Sequence, residues 1–499
     1  MKYSKISYDS NAKHWLSFKR VAMYMVFITL LFTSMGCKKF IAVAPPITST
    51  NSDNIYSNDG TAISVLTSLY AKMSAENSNN FVSSGFNSLG LYTGLSADEI
   101  TLFSGSTNPV LTAYYQNKLN NTVTNSVDVF ETSYPYIFTI NAAIEGLTKS
   151  TTLTPSVKNE LLGEAYFMRA FFYFYLTNLY SEVPLILVTD YNITSKQGSI
   201  GQNEIYNQIK VDLLKAQNLM ADKFYDGTLL SGTGERVRPN KTAATALLAR
   251  VYLYNKEWSN AETEATEVIQ NSTTYKIEPD LNTVFLIGSK ETIWSLQSVN
   301  NNSASNTGDG AVFILTGPPD ENFHPFYLSS SLINSFDHDD LRLTNWTQHI
   351  VAGGQPYDYA YKYKLDNTNN STGEYLVIFR LAEQYLIRAE ARARLGNIVG
   401  SNSAKSDIDV IRLRAGLRGT AATSMPDMIN NILLERRHEL FTEWGHRWLD
   451  LKRTNTVDSV MTTATALKGA GSWDSHMALF PIPYGTIQAN PNIKQNPGY

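Results

Sequence analysis

Two stretches of this chain carry the same arrangement of small and large apolar residues, and it restricts what they can build. Leu248-Ala249-x-x-Tyr252-Leu253 is followed by a turn and then Ala261-x-x-x-Ala265. Leu381-Ala382-x-x-Tyr385-Leu386 is followed by Ala389-x-x-x-Ala393 and a Gly396 turn. Alanines four residues apart share one helix face and let a second helix approach closely, while a large apolar residue one turn on fills the gap between the two axes. The helical period recurs along the chain. It predicts helices over 126–148, 156–180, 203–222, 239–255, 258–271, 376–396, 402–416 and 426–452, with Pro135 kinking or splitting the first.

The two matching stretches follow the packing logic of tetratricopeptide helix pairs, but their spacing is irregular. They therefore predict helix pairs inside one domain, not a uniform solenoid. The composition of 272–375 is different: Asn, Ser, Thr, Gly, Asp and Tyr dominate, and 282–299 and 359–365 read as short strands among long loops. A second irregular stretch covers 78–125. Irregular segments on a rigid helical frame are where binding sites tend to lie.

The N-terminus reads as an address. Lys2, Lys5, Lys13, Lys19 and Arg20 precede an uncharged apolar run over 21–35, followed by Gly36 and Cys37. That order fits a secretory signal over 1–36, and the run is short for a membrane span, which needs roughly 20 residues. Cys37 is the only cysteine, so no intrachain disulfide or Cys-based metal site is available. Ser34-Met35-Gly36-Cys37 resembles a bacterial lipobox, with Ser34 where Leu is usual; the competing reading is a plain signal peptide. Acylated Cys37 would be the first residue of the mature chain. Residues 37–55 then form an anchor and extended leader, in which Pro45-Pro46 excludes a helix, and 56–499 form the domain. Without 1–36 the chain keeps 36 basic and 44 acidic side chains, which argues against a nucleic-acid partner.

Motifs for catalysis are missing. His438-Glu439-Leu440-Phe441-Thr442 has Thr where a zinc helix needs a second His. Glu435, Glu439 and Glu443, with Arg436, Arg437 and Arg447 nearby, read as an ion-pair network along one helix. Trp444 and Trp448 read as core. Asp337, Asp339 and Asp340 around His338 could serve a glycosidase or hold calcium, but they read more simply as a turn before a strand. No nucleophile elbow, phosphate loop or dinucleotide fingerprint occurs, so no cofactor is expected.

Seven blocks, in order, resemble the SusD/RagB family of nutrient-binding outer-membrane lipoproteins. They are RAFFYFYLTNLYSEVPLI (169–186), EIYNQIKVDLLKA (204–216), RPNKTAATALLARVYLY (238–254), FRLAEQYLIRAEARARLG (379–396), IRLRAGL (411–417), ILLERRHELFTEWGHRWLDLKR (432–453) and LFPIPYGTIQANPNIKQNPGY (479–499). The resemblance implies a mainly α fold with four tetratricopeptide-like pairs and an irregular ligand-binding region. It implies a palmitate-bearing lipoprotein of the outer membrane, facing the cell exterior, that is not an enzyme. Such a protein binds an oligosaccharide or a peptide and lids a SusC-type TonB-dependent transporter. Lys38 and Lys39 depart from the acidic residues that relatives often carry after the anchor, which bears on that orientation. An envelope glycan hydrolase and a protein scaffold are the competing classes.

Sugar rings present a C–H face to aromatic rings, and amides and carboxylates bond their hydroxyls. On that chemistry the ligand site is expected at Trp346 with Asn345 and Gln348. Tyr357 and Tyr359 join it, two apart on one face of a strand. Asn80, Phe81, Tyr92 and Asp98 are the candidates in the other irregular stretch. The alternative is that Trp346 plugs the core and the tyrosines pack on a helix.

Overall fold

Local sequence signals set the helix starts. In the computed structural model, which describes residues 52–75, 81–122, 129–299, 306–321, 323–366 and 372–499, Asn58 caps helix α1 (Asp59–Ser74) by accepting from Thr61 N. Ser88 caps α2 (Leu89–Ser96) in the same way. Strand β1 (Ile100–Leu102) and helix α3 (Pro109–Tyr115) follow. The long helices are α4 (Val129–Lys149), α5 (Pro155–Tyr180, Pro at its first position), α6 (Gln202–Leu219), α7 (Lys241–Tyr254, capped by Asn240) and α8 (Trp258–Gln270). The irregular stretch carries β2 (Thr292–Leu296), β3 (Phe326–Leu328), β4 (Thr347–Ala352), β5 (Gln355–Ala360) and β6 (Leu376–Arg380). Then come α9 (Leu381–Arg394), α10 (Ala404–Arg414, with a Ser403 capping box), α11 (Met425–Leu440), α12 (His446–Arg453) and α13 (Val457–Leu467).

The fold is mainly α. Helices α4 to α11 pack each against the next, as antiparallel neighbours of the tetratricopeptide-like kind. Ile55–Tyr499 form one compact unit. In α7 every residue from Thr242 to Tyr254 is buried, as is nearly all of α5 from Phe167 on, so these two helices form the centre of the stack. Buried Arg–carboxylate forks cross the seams. Arg169 holds Asp212 through two bonds of 2.8 Å, Arg250 holds Glu383 at 2.6 and 2.7 Å, and Arg388 holds Asp407 at 2.7 and 3.0 Å. A bidentate fork accepts only one geometry, so these pairs fix how each helix sits on its neighbour.

The irregular layer is spliced between two helices that pack on each other: α8 ends at Gln270 and α9 begins at Leu381. The other irregular stretch joins the same layer. β1 pairs antiparallel with β3, Phe103 N donates to Pro325 O at 2.6 Å, Gly308 N donates to Ser84 Oγ, and the buried Asp309 accepts from Gly85 N at 2.7 Å. β4 and β5 form a hairpin whose turn, Gly353-Gly354, has positive φ at both residues, as the tight primed turn requires.

Several expectations are corrected. Residues 376–380 are a strand paired with β2 and not the first turn of a helix. The last long helix is two helices, broken at Phe441–Gly445, where Thr442, Trp444 and Gly445 all have positive φ. Pro135 neither splits nor ends α4. Residues after Asp340 form a short helix, Leu341–Asn345, and not a strand.

Candidate functional site

The carboxylates of α11 and of the break that follows it do not pair along their own helix. Glu439 is surrounded by Arg342, Arg380 and Arg414, Glu435 by Arg342 and Arg412, and Glu443 by Arg380 and Lys362. Most of these cations come from the irregular layer, so the network rivets that layer to the helical frame. Arg436 instead reaches Asp450, while Arg437 and Arg447 both reach Asp98. Burial alone would raise the Glu439 carboxyl, but its three arginines hold it far below the usual carboxylate range.

Trp346 belongs to this network and not to a ligand surface. Its side chain is fully buried, its indole N–H donates to Leu281 O at 2.8 Å, and Lys362, Arg380 and Arg414 lie 4.9 to 5.7 Å from its ring. No face is left for a sugar. Asn345 beside it is half-buried and accepts from Asn282 Nδ2 at 2.7 Å, and Gln348 is exposed.

The candidates of the other stretch are likewise turned inward. Phe81 is buried between Phe172 and Tyr175, and Tyr92 is buried against Tyr114 at 4.5 Å. Asp98 is buried; that alone would raise its carboxyl, but Arg447 and Arg437 outweigh burial and hold it at about 2. Asn80 and Cys37 lie outside the described residues.

Tyr357 and Tyr359 occupy β5, two residues apart on one face, opposite Ile350 and Gln348 of β4. Both are half-buried. Tyr357 does not stand alone: its ring meets Tyr327 of β3 edge-on at 5.1 Å. β3 alternates, with Phe326 and Leu328 buried and Tyr327 half-buried, and β1 opposite it does the same around Thr101. Thr101 and Tyr327 are register partners, and the Tyr115 hydroxyl at the end of α3 bonds Thr101. Burial pushes the Tyr115 and Tyr327 hydroxyls up, so both stay protonated donors at neutral pH.

The result is a tyrosine face, Tyr115–Tyr327–Tyr357, with Tyr359 and Gln348 along the hairpin. Both irregular stretches contribute to it. Rings with polar tips, half-exposed beside an amide, are suited to a ligand with a C–H face and hydroxyl edges. Tyr327 and Tyr115 were missed in the sequence reading; the alternation in Phe326-Tyr327-Leu328 was the available sign. Phe323, 71% exposed, was missed too.

The carboxylates of the Asp337–Asp340 cluster do not face one another. Asp340 is buried against Arg342 at 2.7 Å, while Asp337 and Asp339 are exposed. His438 bonds Ser335 and stacks on Phe336. Among the described residues no three His, Cys, Asp or Glu side chains gather to hold a metal, and no helix is long and apolar enough to cross a membrane.

Comparison with known proteins adds independent findings. A SusD family profile matches residues 344–499, and a profile described as starch-binding associating with outer membrane matches 50–253. A SusD-like protein of Formosa agariphila is 27% identical over 388 residues, covering 68% of this chain and 74% of that protein. A SusD superfamily protein from Bacteroides vulgatus superposes with a TM-score of 0.74 at 20% identity, covering 89% of this chain and 100% of that one. A laminarin-binding SusD-like protein superposes at 0.72 with 22% identity, again covering 89% and 100%. At such identities the superpositions establish the fold.

Proposed function

From its membership of the SusD/RagB family, to which this chain belongs, we propose that it is an outer-membrane lipoprotein binding an oligosaccharide at the tyrosine face and delivering it to a SusC-type TonB-dependent transporter. The observation that carries the ligand reading is the meeting of Tyr115, Tyr327 and Tyr357 on one half-exposed surface. Relatives described as starch-binding and laminarin-binding support the chemical class. The protein retains its ligand and does not cleave it. Cys37 carries the lipid, and the mature chain faces the cell exterior.

Calorimetry of the full chain with laminarin- and starch-derived oligosaccharides tests the ligand reading. Binding without chain shortening of the glycan is expected, and Tyr327→Ala should weaken it by about 1–3 kcal/mol, the scale of stacking platforms for bases. Peptide binding in place of glycan binding would reject the sugar assignment while keeping the family. Glycan hydrolysis would reject the binding role. Affinity purification from native membranes should recover a large β-barrel partner; recovery of the chain alone would count against delivery.

A further inference from the structure

A second recess shares no residue with the tyrosine face. It encloses about 360 Å³ between α1, the 225–238 segment and the end of β2, toward the lower end of the roughly 300–1,000 Å³ typical of ligand pockets. Its floor is buried but carries no net charge. Arg238 forks onto Glu164 at 2.8 and 3.0 Å, and the Tyr70 hydroxyl reaches the same carboxylate at 2.7 Å. With those charges paired inside the protein, the floor has no preference for an ion.

The walls combine the Tyr70 and Tyr225 rings with aliphatic side chains. The rim is different in kind: Asp226, Glu235 and Gln297 line it. One Asp226 oxygen takes the Thr228 N–H and hydroxyl, and the backbone of Leu229 and Ser231 also bonds this carboxylate, so the exposed Glu235 and Gln297 are the rim groups that face a ligand. The Lys223 ammonium, 4.4 Å from the Tyr225 ring, offsets part of the acidic rim. An apolar, aromatic wall beneath a ring of planar acceptors suits a molecule with a C–H face and a fringe of hydroxyl donors.

We propose that this recess is a second saccharide site, taking one or two glycosyl residues and not an extended chain. The proposal rests on the glycan reading of the protein and extends it: one chain would hold an oligosaccharide at two separate places.

Amide hydrogen exchange of the full chain in a zwitterionic detergent, with laminaritriose or maltotriose as probe, distinguishes the two readings. Protection is expected in peptides covering 67–74 and 225–238, as well as in those covering 326–328 and 355–360. Tyr225→Ala should abolish the first set and leave the second, and Tyr327→Ala should do the reverse. Gln297→Ala, an exposed rim change that leaves the walls intact, should raise the saccharide concentration for half-protection of the first set about tenfold. It serves if Tyr225→Ala does not fold. Protection confined to the second set overturns the proposal and leaves the glycan reading standing. Protection of neither set by either sugar overturns both. Protection of the first set by tyramine, an aromatic amine, and not by the sugars would assign the recess to cationic ligands and also overturn it.

Discussion

Replacing Trp346 by Ala separates a core plug from a binding platform. The side chain is fully buried, and its indole N–H satisfies Leu281 O at 2.8 Å. Emptying a site of this kind costs about 3–5 kcal/mol in lost transfer energy and cavity. The stranded Leu281 carbonyl adds about 1–3 kcal/mol if it stays dry. The surrounding Lys362, Arg380 and Arg414 lose the ring face that balances them. A total of about 4–8 kcal/mol is expected, a large part of the stability of a typical domain. Trp346→Phe should lose less, about 1–3 kcal/mol, because it keeps most of the apolar fill and forfeits the hydrogen bond. Urea unfolding followed by fluorescence measures both, and calorimetry on the folded fraction measures glycan affinity. The midpoint should fall steeply while affinity per folded molecule stays the same. A Trp346→Ala protein with the wild-type midpoint and tenfold weaker glycan binding would show that the indole reaches the ligand, and the burial argument would be wrong.

Arg342→Met strips the shared countercharge from Asp340, Glu435 and Glu439, all buried. The expected loss is about 3–5 kcal/mol by urea midpoint, and a change under ~1 kcal/mol would mean the remaining arginines suffice. Asp309→Asn should gain on the wild type as pH rises from 5 to 8. Burial pushes the folded Asp309 carboxyl up to about 7, above its unfolded value near ~4. The folded wild type therefore holds a proton that the unfolded chain has already released, and it loses stability as pH climbs through that interval. Parallel curves for the two proteins would contradict this. Cys37→Ala should move the protein from the membrane to the soluble fraction with its circular dichroism unchanged; persistent membrane association would reject Cys37 as the anchor.

The helical frame was readable because its signals are local. Alanine spacing marked α7 to α9, and caps such as Asn240 and Ser403 sit one residue before the helices they start. The site was harder for the opposite reason. Trp346 between Asn345 and Thr347 looks the same in sequence whether it faces sugar or core. What buries it is Arg380, Arg414 and Lys362, brought in from 16 to 68 residues away. The glutamates of α11 were read as partners of nearby arginines, but Arg342 reaches Glu439 from 97 residues upstream. Tyr357 and Tyr359 could be placed on one face from their spacing alone, whereas Tyr115 joins them only through Thr101 and the β1–β3 pairing. That pairing spans more than 200 residues and leaves no local trace.

Placing the irregular layer between α8 and α9 has a consequence for how the chain acquires its structure. A helix pair joined by a three-residue turn can form as soon as both halves exist. The packing of α9 on α8 must instead close a loop of about 110 residues, which by chain statistics costs roughly 3 kcal/mol more in entropy than closing the three-residue turn between α7 and α8. Docking of α9 on α8 should therefore come late, after α4 to α7 have assembled. The strands β1 and β3, still further apart in sequence, gain a stable scaffold only afterwards. During synthesis the first five helices of the stack would emerge with the surfaces of α7 and α8 that α9 covers still open, and the tyrosine face would be the last surface completed.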